Sequence, residues 1–183
     1  MNPGPIVAGR RPRWSLALLP EAPAGTIVPC VAGTAGFRAT LVWRTSEGVP
    51  KGPTLRDPPG PVRCSFAEAD DLEAATRRLA GEIRALTQAD LGAAFGEVLR
   101  ELTRVAALTE ATLEVGAVRS MPPRVASPRA LETLARDLRE AGLSVRFEAW
   151  WTPAAQRADA YLGVGGLDGL HDFLRSHPSW GLA

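Results

Sequence analysis

The sequence predicts a mixed α/β (α+β) fold, and three patterns predict it. From Phe37 to Arg44, the residues Phe37, Ala39, Leu41 and Trp43 alternate with Arg38, Thr40, Val42 and Arg44, the period of a half-buried strand. From Gln88 to Leu108, Leu91, Phe95, Val98, Leu99, Leu102, Val105 and Ala106 recur at helical spacing. From Thr112 to Trp151, strand, helix and strand signals follow one another. The expected architecture is a single sheet that includes this C-terminal β-α-β unit, with an amphipathic helix pair packed on it. A chain of 183 residues with 45% apolar composition is long enough for one substantial core. Residues 14–183 are therefore expected as a single globular α/β domain behind a flexible basic arm, 1–13.

The elements follow in order. Trp14–Leu19 is a short apolar run closed by Pro20, and Thr26–Val31 is a second, interrupted by Pro29; both fit short strands. Gly33 and Gly36 are expected to flank a turn before the alternating strand. Segment 47–63 carries Pro50, Pro53, Pro58, Pro59 and Pro61 with Gly48, Gly52 and Gly60, a density that forbids regular structure. A loop of that length serves as a lid, a binding loop or a passive connection, and the passive connection is the simpler expectation. Ser65 with Glu68 has the form of a capping box, and Leu72, Ala75, Leu79, Ile83 and Leu86 give the first helix of the pair a face, with Glu73 and Arg77 as an i,i+4 pair. Thr87 with Asp90 caps the second helix, on which Gly92 and Gly96 thin the surface.

In the β-α-β segment, Leu113, Val115 and Ala117 alternate with Glu114 and Gly116. Ser127 and Pro128 open a helix bearing Leu131, Leu134, Ala135 and Leu138, and Gly142 closes it. Leu143, Val145, Phe147, Ala149 and Trp151 then alternate with Ser144, Arg146, Glu148 and Trp150, so the paired tryptophans serve both faces. Ala160–Gly166 reads as a strand entering a glycine turn, followed by a short helix, Leu167–Ser176.

Composition narrows the function. With 21 Lys plus Arg against 20 Asp plus Glu, no bulk charge holds a polyanion, so nucleic acid is not the default partner. Lys51 is the sole lysine, and its place in the Pro/Gly loop argues against Schiff-base or P-loop chemistry. Cys30 and Cys64 stand far apart with no Cys-x-x-Cys. Arg10, Arg11 and Arg13 before Trp14–Leu19 imitate an export signal, but an h-region needs about 7–15 apolar residues. A cytoplasmic protein with no membrane contact is the expectation.

The turn Gly163-Val164-Gly165-Gly166, between a strand and a helix start, is a candidate anion cradle, with Arg119 or Arg146 in support. It lacks the third glycine of a dinucleotide fingerprint, since position 168 is Asp. Asp168, His171 and Asp172 fall within one helical turn but do not by themselves make a metal site, and no cofactor or catalytic residue is assigned. Arg119, Ser120 and Arg124 are placed near a pocket only if the strand before them is parallel. The leading expectation is a non-catalytic assembly or adaptor module, acting on a protein partner or as a homo-oligomer through Phe95, Trp150 and Trp151. The alternatives are a small enzyme or sensor that takes an anionic or phosphorylated ligand at 163–169, and a nucleic-acid accessory protein that uses the Arg10–Arg13 arm with Arg38 and Arg44.

Overall fold

The computed structural model of the chain describes residues 15–116, 118–140, 142–154, 157–166, 168, 169, 172 and 175. The expected basic arm, His171, His177 and most of the C-terminal helix lie outside the described residues. In order, the elements are β1 (Leu16–Leu19), β2 (Thr26–Val28), β3 (Cys30–Val31), β4 (Gly33–Val42), β5 (Val62–Asp71), β6 (Thr76–Ala85), α1 (Gln88–Leu108), β7 (Thr112–Val115), β8 (Arg119–Met121), β9 (Arg124–Val125), α2 (Pro128–Glu140), β10 (Arg146–Phe147) and β11 (Ala160–Gly163). The fold is mixed α/β, as expected. Its contacts divide between two compact units, 1–31 with 124–183, and 32–123.

The first unit, 1–31 with 124–183, holds a four-stranded sheet in the order β1-β11-β2-β10. β11 runs parallel to β1 and antiparallel to β2, and β10 runs parallel to β2. Both faces are covered. Leu16, Ile27 and Leu162 pack with Leu134, Ala135 and Leu138 of α2, while Ala17, Val28 and Tyr161 pack with Val31 and Ala154. A strand covered on both faces needs apolar residues at every position, and β11 is buried along its whole length. Pro29, which has no N–H to give a ladder, separates β2 from β3, and β3 pairs with β9 instead. Gly142, at φ +79°, ends α2 as expected, with the Leu143 amide donating to the Leu138 carbonyl at 3.0 Å.

The second unit, 32–123, is built on an antiparallel sheet ordered β5-β6-β4-β7, with β8 also pairing along β4. In β4, Ala35, Phe37, Ala39 and Leu41 point into the core and Arg38 points out, as the alternation requires. Gly33 and Gly36 lie within this strand rather than in a turn before it. Helix α1 has the expected bounds. Thr87 Oγ1 accepts from the Asp90 amide at 3.1 Å, and Leu91, Ala94, Val98, Leu102 and Ala106 are buried against the sheet.

Three further expectations fail. The helix expected over Ser65–Leu86 is the hairpin β5–β6, whose register sets Asp70 opposite Arg77 and Cys64 opposite Ile83. Its inward residues are Cys64, Phe66, Glu68 and Asp70 on one strand and Arg77, Leu79, Gly81 and Ile83 on the other, so charged inward groups broke the apolar alternation. Leu72, taken for a core position, is 60% exposed in the connecting turn, and Ala75 there adopts a left-handed φ of 51°. Second, β7 and β10 lie in different sheets, so Thr112–Trp151 is not one β-α-β unit, and the described residues form three sheets rather than one. Side-chain periodicity identifies a strand but not its neighbour. Third, the strand expected over Leu143–Trp151 is reduced to β10, and Phe147 on it is 50% exposed.

Candidate functional site

The glycine turn is used for packing. The amides of Val164, Gly165 and Gly166 donate to the carbonyls of Leu19, Ala22 and Pro20. Those amides are consequently turned to backbone rather than toward a ligand. A Cβ on Gly163 would stand 2.4 Å from the Pro23 carbonyl oxygen, so glycine there lets two backbones touch. Arg146 is exposed on β10 of the same unit, its amide donating to the Gly25 carbonyl at 3.1 Å, whereas Arg119 belongs to the second unit. β7 and β8 run antiparallel to β4, which removes the parallel-strand argument for a pocket at Arg119, Ser120 and Arg124. Asp172 pairs with Arg175 at 3.4 Å. Among the described residues, no group of three His, Cys, Asp or Glu is placed to hold a metal.

Two of the three expected interaction residues, Phe95 and Trp150, also pack against core clusters. Phe95 is half-buried, its ring 6.3 Å from that of Phe37 at 60°. Trp150 is half-buried against the Ala17, Val28 and Tyr161 cluster, with its amide donating to the Cys30 carbonyl at 2.9 Å, and Trp151 is half-buried beside it.

The Pro/Gly segment 47–63 is held by charge. Arg77, 3% exposed, lies on the core face of β6. Its Nε and Nη2 donate to the two Asp70 oxygens at 2.5 and 2.9 Å, Nη1 donates to the Gly52 carbonyl and Thr54 Oγ1, and Nη2 also donates to the Pro50 carbonyl. Glu68 accepts from the amides of Thr54 and Leu55 at 2.8–2.9 Å and lies 3.4 Å from Arg77 Nη1. The guanidinium holds the Asp70 carboxyl below its usual range, chiefly through their hydrogen bonds, and Asp70 in turn raises Arg77. With Leu55 and Thr54 buried, the segment is a strap across the core face. Sequence reasoning placed Arg77 on a helix with Glu73; its actual partner, seven residues away, is reached across a hairpin.

The opposite face of this sheet is open. On it stand Ser65, Ala67 and Ala69 of β5, Arg78, Ala80 and Glu82 of β6, Gly36, Arg38 and Thr40 of β4, and Arg119 of β8, as the pairing register dictates. Two adjoining clefts of about 480 and 360 Å³ lie over it and share Arg38, Ala67 and Ala80. Arg119 lines the first and Arg78 the second. The floor is made of small residues, so a ligand can approach the sheet closely. Glu82 is engaged by Arg84 at 2.5 Å, while Arg38, Arg78 and Arg119 are exposed and make no ion pair with a described residue. The sequence showed Arg38 on an outward strand face and named Arg119; Arg78 was missed because its strand was read as a helix. Cys64, on the core face, is pushed up to about 11 by burial and by Asp57, which keeps its thiol protonated and unreactive near neutrality.

Comparison with known proteins places the fold. No family model matches the chain, and no curated protein does. Among solved structures, the aminopeptidase PepT of Bacillus cereus superposes with a TM-score of 0.66 at 13% identity, over 93% of this chain and 57% of that one. A tripeptidase of Staphylococcus aureus gives 0.64 at 15% identity, over 90% and 55%. An amidase of the hydantoinase/carbamoylase family from Burkholderia multivorans gives 0.59 at 11%, over 88% and 49%. The chain thus shares a fold with peptidases and amidases and spans about half their length. This corrects the expectation of a non-catalytic assembly or adaptor module. The three structures named are peptidases and an amidase, and Phe95 and Trp150, taken for a contact surface, pack against core clusters. No helix among the described residues is long and apolar enough to cross a membrane.

Proposed function

We propose that this chain handles peptide- or amide-bond compounds as the substrate-holding part of a hydrolase-type fold. The observation that carries the reading is the superposition of nine-tenths of the chain on PepT, with a tripeptidase and an amidase alongside. All three are named for work on peptides or amides, chemistry in which the ligand is a short polar molecule bearing carbonyl groups and a carboxylate. The second unit supplies a fitting surface: an open sheet face with a floor of small residues and arginines along it. A guanidinium is the side chain best shaped for a carboxylate, which it holds through two parallel N–H bonds.

The test is a titration of the isotope-labelled full chain with neutral tripeptides and N-carbamoyl amino acids, read by backbone amide shifts, with hydrolysis followed by mass spectrometry in the same tubes. Saturable shifts along β4, β6 and β8 are the expected outcome. Absence of saturable shifts with every compound overturns the reading.

A further inference from the structure

The pairing register fixes how the three outward arginines are arranged. Arg119 stands next to Gly36 on the neighbouring strand, two residues from Arg38, and Arg78 stands next to Thr40, two residues from Arg38 on the other side. Each arginine is therefore the diagonal neighbour of the next, and Arg78, Arg38 and Arg119 form a line across β6, β4 and β8. Diagonal neighbours on a sheet are about 7–8 Å apart. Alternate residues of an extended peptide project to one side about 6.6–6.8 Å apart. The two repeats differ by about 1 Å, which the long arginine side chains can span.

The surroundings leave this line open for a ligand. Ala67, Ala69, Ala80 and Gly36, all on one side of the line, give a low floor, and the two clefts run together along it. Among the described strand residues, the other charges on this face are Arg63, Arg84, Glu82, Asp71 and Glu114. Glu82 is taken by Arg84, Asp71 accepts from the Ala74 amide at the end of the hairpin, and Glu114 stands opposite Thr40 on β7. None of them forms an ion pair with Arg38, Arg78 or Arg119. A nucleic-acid strand fits less well. Among the described residues no aromatic ring of these strands stands on this face to stack a base, Phe37 and Phe66 being on the core side, and the chain has no bulk positive charge.

We infer that the helix-free face of the second unit binds an extended acidic peptide segment, with carboxylates on alternate residues seated on Arg78, Arg38 and Arg119. The inference rests on the peptide reading above and narrows it to a class of ligand. Each carboxylate would accept from one guanidinium, and the peptide backbone would lie over Ala67, Ala80 and Gly36.

The test uses the full chain and fluorescein-labelled pentapeptides, read by anisotropy. Asp-Ala-Asp-Ala-Asp is set against its isomer Asp-Asp-Asp-Ala-Ala, against Asn-Ala-Asn-Ala-Asn, and against a single-stranded oligonucleotide. The alternating acidic peptide is expected to bind about tenfold tighter than the Asn peptide and several-fold tighter than its isomer, with Arg38→Ala and Arg78→Ala each weakening it about three- to tenfold. Arg100→Ala, on the exposed side of α1 where Arg100 pairs with Glu97, is expected to leave binding unchanged. Equal binding of the two isomers, an equal effect of Arg100→Ala, or tighter binding of the oligonucleotide overturns the inference. Binding of neutral tripeptides or N-carbamoyl amino acids without an acidic preference also overturns it while leaving the peptide and amide reading standing. If no peptide or amide compound binds, both fall.

Discussion

The two units treat their sheets differently. In the first unit both faces are buried, one against α2 and one against the Val31, Ala154 and Trp150 side. In the second, α1 and the strap cover one face and the other is left to water, alanines and arginines. Where that sheet is buried twice, at β1, β2 and β11, no face is left for a ligand and the residues answer to packing. A sheet buried once can carry polar groups at half its positions without cost to its core, and the second unit's outward arginines occupy such positions.

Substitution along single strands sharpens that contrast, and gives the largest effects expected. In β11, Tyr161→Ala and Leu162→Ala are both expected to destabilise, by about 2–5 kcal/mol each, because neighbouring positions enter cores on opposite sides. In β4, Leu41→Ala should cost a similar amount, and Thr40→Ala should stay within about 0.5 kcal/mol. Chemical denaturation of the four variants measures this; a large loss for Thr40→Ala would mean that the open face is not open.

Next comes the strap. Arg77→Met keeps much of the apolar stem but leaves Asp70, Glu68 and the carbonyls of Pro50 and Gly52 without the guanidinium, at a cost of about 2–3 kcal/mol. Limited proteolysis should then cut within 46–61 before any other part of the second unit. Resistance equal to the parent would show that the strap is held by Leu55 rather than by charge.

Removing the cap of α1 with Thr87→Ala should cost about 1 kcal/mol, measured by the shift of the denaturation midpoint. The smallest effect is in acid. The Asp70 carboxyl is lowered by Arg77 in the folded chain, so its contribution is fully present above the unfolded carboxyl value, about 3.9, and is lost as pH falls through the folded value. Stability below about pH 4 should therefore fall less steeply in Asp70→Asn than in the parent, as thermal melts across pH 2–5 would report.

Legibility in the sequence followed the range of the interaction. Helix α1 was readable to its ends because its cap and apolar stripe are local, with Thr87 bonding to Asp90 three residues on. The hairpin 62–85 was not, because the partner that makes Arg77 an inward residue lies across a turn, and an arginine on a core face reads as surface. Gly81, also on the core face of β6, has no apolar side chain to mark its position. A Cβ there would stand 2.5 Å from the ring of Phe66 and 2.7 Å from that of Phe37, so its smallness makes room for the two rings, 6.0 Å apart. Of the candidate site, Arg38 was visible on its strand and Arg119 by name, but Arg78 appeared only when β6 became a strand.

By itself the sequence determined the mixed α/β class, the faces of β4, the bounds of α1 and the body of α2, since each rests on residues one to four places apart. Only the tertiary structure decided which strands share a sheet, that the glycine turn spends its amides on the 19–22 carbonyls, that the Pro/Gly segment is strapped to Arg77, and that three arginines from three strands stand in one line. Strand pairing joins residues tens of positions apart through backbone groups that every residue carries, so the side chains record a strand's faces but not its neighbours.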